Sequence, residues 1–217
     1  MRIRNIVKRT LKYLFLILVA PLYLLFICLA ILGQEDSIFQ GFSQALSLIP
    51  GKFGSYTRAA FYRLACPGTS DDIYIGFLTL FSHRNTTLKR GVYIGPQCNI
   101  GKCSIGEDTL VGSGVHILSG AKQHNFGDPS QPIQHQGGSY EKISIGEDCW
   151  IGNGSVIISN LEKQSVVACG SVVTRSFTDG DVLAGNPAVR LRNRIINDQI
   201  PNKKPDQLKS SINESSK

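Results

Sequence analysis

The side chains best suited to proton transfer, metal binding or nucleophilic attack are four histidines and six cysteines. They are His83, His116, His124 and His135, with Cys28, Cys66, Cys98, Cys103, Cys149 and Cys169. A neutral imidazole can take a proton from a weak nucleophile at neutral pH and return it to a leaving group. The cysteines form no CxxC pair and no zinc-type spacing. Cys98 and Cys149 each follow an isoleucine by four residues, a packing position, so the cysteines read as small packed residues in a reducing compartment rather than acyl carriers. His124 and His135 share one stretch, residues 121–142 (AKQHNFGDPSQPIQHQGGSYEK). A loop of that length leaving a regular chain is costly to order and is usually functional.

The elements that must position these residues follow from a short repeat. Ile94-Gly95 and Ile100-Gly101 start it, and it slips by one residue to Ile105-Gly106. It resumes at Val111-Gly112 and Ile117, is interrupted by residues 121–142, and returns at Ile145-Gly146, Ile151-Gly152 and Ile157. Val166 and Val172 are again six apart. One aliphatic per six residues fits neither a helical stripe nor an alternating strand. It fits a coil with flat sides, one inward aliphatic per side and small residues at the corners, three sides to a turn. That is a hexapeptide parallel β-helix, with residues 73–90 as its first turn. Its ends need covers. The segment before residue 72 is expected to cap one end, and residues 182–194 the other.

The ordered motifs LSGAKQHNF, PIQHQG, ISIGEDCWIGNGSVI, ACGSVVT and AGNPA resemble the hexapeptide-repeat acyltransferases, in particular the membrane-associated sugar and polysaccharide O-acetyltransferases. The resemblance covers about residues 73–194. It implies a mainly β fold, a left-handed parallel β-helix, and a homotrimer with active sites between neighbouring chains. It implies acetyl-CoA as co-substrate, a hydroxyl or amino acceptor, and no metal. The family's catalytic histidine maps to His124. Gly152, Asn153, Cys169, Thr174, Arg175 and Arg192 map to the coenzyme contacts, the arginines suiting its phosphates. Trp150 would lie beside the pantetheine arm or pack at the base of the loop, with an oxyanion donor from the Trp150–Gly152 turn of a neighbouring chain. His83, Trp150 and Gln136 are expected to bind substrate, His83 from the acceptor side, with His135, Asp128 and Gln136 also available to shape the loop; His116 is expected to face outward. Three departures stand out: ISNLEKQSVVACG is shorter than the usual coil, Cys169 replaces a common alanine, and Val189 replaces a basic residue after AGNPA. Two alternatives share the fold. One is a γ-carbonic-anhydrase-like zinc enzyme using His83, His116 and His124. The other is an acetyltransferase acting on a xenobiotic such as an antibiotic.

The rest of the chain bears on location. Residues 13–32 are apolar and uncharged, long enough as a helix to match a bilayer core, and no cleavage site for a signal peptide follows. Pro21 is expected to kink or break this helix, giving a kinked span or a re-entrant pair of half-helices. Residues 37–71 carry two helical patterns divided by Pro50-Gly51, packed on the domain or lying at a membrane surface. The tail, 195–217, is polar and expected to be disordered. The division is therefore 1–36, a basic N-terminus and membrane anchor; 37–71, helical; 72–194, the repeat domain; and 195–217, the tail. The charge of +7 is not on the repeat domain. Residues 1–12 hold five basic side chains and no acid, 189–217 hold seven basic and three acidic, and the intervening 176 residues net −2. That distribution excludes a nucleic-acid-binding body. Acetyl-CoA is cytoplasmic, so a re-entrant or monotopic anchor is expected, holding the catalytic domain on the cytoplasmic face of a bacterial-type inner membrane near a glycan or lipid-linked sugar acceptor.

Overall fold

A computed structural model describes residues 2–31 and 33–196. The expected tail disorder lies almost wholly outside them. The N-terminal third is helical: α1 (Arg2–Ala30), α2 (Glu35–Ser47) and α3 (Gly51–Ala65). The remainder is a coil of short strands. Its first turn is β1 (Tyr74–Ile75), β2 (Leu80–Phe81) and β3 (Thr87–Leu88). The second is β4 (Tyr93–Ile94), β5 (Asn99–Ile100) and β6 (Cys103–Ile105). The third is β7 (Leu110–Val111), β8 (His116–Ile117) and, after the long loop, β9 (Ile143–Ile145). The fourth holds β10 (Trp150–Ile151) and β11 (Val156–Ile157), the fifth β12 (Val166–Val167) and β13 (Val172–Val173). An antiparallel pair, β14 (Asp181–Gly185) and β15 (Ala188–Asn193), closes the end.

Corresponding strands of successive turns pair in parallel. The first sheet runs β1-β4-β7-β10-β12-β14-β15, the second β13-β11-β8-β5-β2, and the third β3-β6-β9. Where the fourth turn is short, its third side is a single bridge from Ile145 to Leu161 rather than a strand. The aliphatics named by the repeat point inward and are buried: Ile94, Ile100, Ile105, Val111, Ile117, Ile145, Ile151 and Ile157. The last turn corrects the expected register by one residue. Val167 and Val173 are the buried pair, while Val166 and Val172 are half-buried on the outside. The bridge at Leu161 sets this phase: it follows Ile157 by four residues rather than six, and Val167 and Val173 then follow it at intervals of six. Cys98, Cys103 and Cys149 are buried at packing positions. Burial pushes the Cys149 thiol up to about 11 and the Cys103 thiol up to about 12. A corner row needs left-handed backbone at Asp108 (φ 55) and Asp148 (φ 52), which acidic and amide side chains tolerate better than branched ones.

The helices cover the open end of the coil. α2 lies on β2 and α3 on β1, through Phe39, Leu46, Phe61 and Tyr62, all buried. Arg58 fastens this cover: its guanidinium donates to the carbonyls of Leu46 (3.1 Å), Ile49 (2.7 Å) and Ile75 (3.1 Å). α1 runs unbroken through Pro21, so the expected break there does not occur. Pro21 lies on the exposed side, where its missing donor faces away from the body. On the opposite side Phe15, Val19 and Phe26 are buried, and Phe26 meets Phe39, Phe42 and Phe61, which holds both halves of the helix in line. The stretch Ile6–Ala30 is long and apolar enough to cross a membrane by length and composition. Its uncovered side is a stripe of Leu14, Ile17, Leu18, Pro21, Leu24, Leu25 and Cys28, at helical spacing.

Candidate functional site

A cleft of about 630 Å³ opens where α2 meets β2, the edge strand of the second sheet. One wall is the stacked row Leu80, Asn99 and His116, in register along that sheet. Asn99 Nδ2 and His116 Nδ1 are 3.3 Å apart. The opposite wall is α2, which contributes Asp36, Gln40 and Gln44 at intervals of four, one polar face of one helix. Gln123 and Tyr140, at the base of the long loop, form the lip. His83 is in this cleft. Its Nδ1 is 2.8 Å from Ser82 Oγ and its ring packs 5.0 Å from Tyr140. Burial holds its pKa below the usual histidine range, with Lys102 adding to the shift and Asp36 opposing it, so the neutral ring is the favoured form. The strand end carrying it is clamped to the helices. The Arg84 backbone N–H donates to Asp36 Oδ1 (2.9 Å), Arg84 Nε donates to the Ala65 carbonyl (2.8 Å), and its guanidinium pairs with Glu35.

The long loop is an ordered arm. Its legs are tied by Glu141 N–H to the Ser119 carbonyl, Ser139 N–H to Lys122, and Asn125 N–H to Gly137. Gly138 is required there: a Cβ would lie 2.0 Å from the Gln123 carbonyl oxygen. Gln136 braces the tip, accepting from the Asp128 N–H (3.0 Å) and donating to the carbonyls of Asp128 (2.7 Å) and Gln131 (2.9 Å). Asp128 itself accepts from Ser130 and Gln131, and hydrogen bonds led by Ser130 Oγ lower its pKa. His135 ends the short turn Ile133–His135. His124 stands on the outgoing leg, exposed, with no side-chain hydrogen bond among the described residues. Beyond it Phe126 (75% exposed) and Ile133 (56%) are bare. Neither His124 nor Gln136 lines the cleft within one chain.

The remaining expected residues lie elsewhere on the coil. Trp150 is on the outer face of the first sheet, 54% exposed, in register with Tyr74, Tyr93, Leu110, Val166 and Val182. Gly152, Asn153 and Cys169 stack at the corner between the first two sheets. A Cβ at Gly152 would come 2.5 Å from the Cys169 nitrogen, so the close approach of turns there requires glycine. Asn153 Oδ1 accepts from the Ser113 N–H (3.0 Å), and Cys169 is exposed. Thr174 and Arg175 follow β13, exposed, with the Arg175 guanidinium 5.2 Å over the Phe177 ring. Arg192 is in β15 opposite Val182, also exposed. The structure therefore groups the expected residues in three places: His83 and His116 in the cleft, His124 and Gln136 on the arm, and Trp150 with the coenzyme set on the first sheet and its corner. Asp36, Gln40, Gln44, Asn99, Gln123 and Tyr140 were not anticipated. The only signal for the first three was their four-residue spacing on the polar side of an amphipathic helix. Among the described residues, no group of three histidine, cysteine or acidic side chains is placed to hold a metal ion.

No protein-family model matches the chain, and no curated protein matches it. Solved structures do. A maltose O-acetyltransferase from Clostridium difficile 630 aligns with a TM-score of 0.62 at 18% identity, over 74% of this chain and 89% of that one. A galactoside acetyltransferase in complex with coenzyme A aligns at 0.59 and 20% identity, over 74% and 83%. A hexapeptide-repeat-containing acetyltransferase from Vibrio cholerae O1 biovar eltor, complexed with acetyl coenzyme A, aligns at 0.57 and 18%, over 74% and 90%. The fold is that of these acetyltransferases. At such identities the likeness is one of architecture, shared in its mostly β, parallel-sheet coil.

Proposed function

We propose that this protein is an acetyl-CoA-dependent O-acyltransferase that acetylates a sugar hydroxyl of a cell-surface polysaccharide or of its lipid- or nucleotide-linked precursor. The observation that carries the reading is the braced arm, which leaves a coil shared with coenzyme A-bound acetyltransferases and holds an exposed, unpartnered imidazole at His124. In the proposed reaction His124 takes the proton of the acceptor hydroxyl as its oxygen attacks the thioester carbonyl. The tetrahedral oxyanion is held by a backbone N–H of a neighbouring copy; the N–H groups of Trp150 and Gly152 themselves donate to the carbonyls of Ser165 and Val167, so the donor lies beside that stretch rather than on those two residues. The carbon–sulfur bond then breaks, and the imidazolium returns its proton to the coenzyme A thiolate. General-base help of this kind contributes roughly 10²–10⁴-fold. The corner at Gly152, Asn153 and Cys169 would receive the pantetheine arm, with Thr174, Arg175 and Arg192 toward the phosphates. The cleft would take the acceptor. Its His83, Asn99, Gln40, Gln44 and Asp36 are the neutral and acidic hydrogen-bonding groups that sugar hydroxyls need, with Tyr140 as an aromatic lip.

Within one chain the arm, the cleft and the coenzyme corner are separate. A homotrimer of left-handed coils would bring the arm of one copy over the first-sheet face of the next. Two exposed apolar surfaces support that reading: Leu110 with Trp150 on the first sheet, and the arm tip Phe126 and Ile133. The membrane arrangement follows from α1. Its inner side is spent on the helical cover, so the proposed anchor is monotopic, with the outer stripe in the lipid and the coil on the cytoplasmic face. The test is thiol release from acetyl-CoA by detergent-purified protein against nucleotide sugars and lipid-linked sugars, alongside His124→Ala. Acceptor-dependent release that falls at least 100-fold in the variant, with an unchanged unfolding midpoint, supports the reading. Full activity in His124→Ala refutes the mechanism.

A further inference from the structure

A second cavity, of about 440 Å³, lies on the other side of the helical cover, between α1, α3 and the first two strands of the first sheet. Its chemistry differs from that of the cleft. Lys8 and Lys12 reach it from α1, and Lys52 and Arg63 from α3. Asp71 and Asp72 are the acids in its wall, and Lys12 pairs with Asp72 at 2.7 Å. Lys8, Lys52 and Arg63 form no ion pair among the described residues and are exposed at the rim. Between the charges the wall is apolar, with Leu16, Ala59, Ala60 and Val92, and one side carries the stacked rings of Tyr74 and Tyr93, 4.7 Å apart.

The position of the lysines on α1 is informative. Lys8 and Lys12 fall on the same side of the helix as Phe15, Val19 and Phe26, the side turned to the body. The inner side of α1 is therefore apolar where it packs on α2 and α3 and basic where it borders the cavity. The outer side is the uncovered apolar stripe. A helix is about 10 Å across, and an interfacial helix sinks its apolar side about 5–10 Å into the boundary between headgroups and acyl chains. With the outer stripe in the lipid, the inner side, and with it the cavity rim, sits at the depth of the lipid phosphates.

We propose that this cavity binds the phosphate-bearing headgroup of an anionic membrane phospholipid, held by Lys8, Lys52 and Arg63, with the lipid chains lying beside the outer stripe of α1. The inference rests on the monotopic reading of α1. It is independent of the transferase chemistry, because none of these residues lies in the cleft, the arm or the coenzyme corner. Its consequence is orientation: a lipid seated against both α1 and α3 ties the helical cover, and the coil beneath it, to the membrane at a fixed angle.

The test is binding of the full-length protein to vesicles of phosphatidylcholine alone or mixed with phosphatidylglycerol, read by co-sedimentation. The wild type is compared with a Lys8→Gln, Lys52→Gln, Arg63→Gln variant and with a charge-keeping Lys8→Arg, Lys52→Arg, Arg63→Lys variant. A basic side chain near an anionic surface contributes about fivefold, so the wild type is expected to prefer the anionic vesicles by on the order of 100-fold. The glutamine variant should lose on the order of 100-fold of that preference, the share of the three replaced side chains, while binding phosphatidylcholine as before, and the charge-keeping variant should retain it. Equal preference in the wild type and the glutamine variant overturns the proposal and leaves the membrane reading standing. A wild type that binds neither vesicle overturns both. If inorganic phosphate at millimolar concentration abolishes the preference in a way that matched sodium chloride does not, the cavity takes free phosphate and the lipid assignment is overturned.

Discussion

Arg58→Met tests whether one buried guanidinium holds the helical cover to the coil. Arg58 is fully buried in α3, and among the described residues no carboxylate pairs with it. It donates to three carbonyls and, at 3.5 Å, to Ser55 Oγ, and the other contacts of the carbonyls set the magnitude. Leu46 O also accepts from the Ile49 N–H, so it keeps a partner. Ile49 O follows the end of α2, and Ile75 O belongs to the first strand of the coil, with no earlier strand to donate to it; Arg58 is the donor to each. One buried acceptor, Ile75 O, and one half-buried acceptor, Ile49 O, thus lose their donor. At about 1–3 kcal/mol each the loss is about 2–6 kcal/mol. Against this stands the cost of burying an unpaired cation, which holds the Arg58 pKa below its usual value and which methionine removes. The expected net destabilisation is about 2–4 kcal/mol. Arg58→Lys, a point donor in place of a fork, should fall between the two. Denaturant unfolding in detergent, followed by the fluorescence of Trp150, reports the coil. Hydrogen exchange at α3 amides reports the cover, which should loosen first. If Arg58→Met unfolds within about 0.5 kcal/mol of the wild type, as an ordinary surface substitution does, the fastening role is wrong.

Trp150→Asp should dissociate the proposed trimer, since a side chain of roughly 200 Å² that is half exposed removes about 100 Å², or about 2.5 kcal/mol, from each interface; sedimentation in detergent that still shows an intact trimer refutes this use of the first-sheet face. Asp181→Asn should cost about 1–3 kcal/mol, because the buried carboxylate accepts from Thr178 N–H and Oγ1 and from Asn193 Nδ2 and pairs with Arg190 at 2.9 Å. Burial opposes the ionisation of Asp181, but those hydrogen bonds and the Arg190 charge together hold its pKa below the usual range. Its stabilisation is therefore present above the unfolded value of about 3.9 and lost as pH falls through the lower folded value, so the melting temperature of the variant should fall less steeply with acid. The His83 shift is likewise downward, so the folded state resists protonation there. Its contribution is present above about pH 6.5 and lost as pH falls, and His83→Gln should flatten the stability profile below that point; an unchanged slope refutes the burial argument.

The coil was legible because its rule is local. An aliphatic every six residues is a period that only flat-sided turns satisfy, and each inward position can be read without knowing its neighbours. The rule failed where the chain is shortest: Val166 and Val172 keep the spacing, but Val167 and Val173 face inward, and no count from Ile157 reveals that Leu161 takes up the intervening side as a single bridge. Pro21 shows a different limit. A proline removes one hydrogen bond from any helix, but whether the helix breaks depends on which side loses it, and that side is set by Phe15, Val19 and Phe26 packing on residues from α2 and α3. The polar face of α2 was invisible for the same reason. Asp36, Gln40 and Gln44 look like the solvated side of an amphipathic helix until the helix is laid against β2 at the edge of the second sheet. The arm raises the deepest difficulty. His124 and Trp150 are 26 positions apart in the sequence and belong to adjoining turns, yet they project from different faces of one chain. Sequence order suggests a single site, and the geometry of one chain divides it. Reading them as one site requires a second copy to present its first sheet to the arm, which makes the exposed tip at Phe126 and Ile133 an interface rather than a defect of the fold.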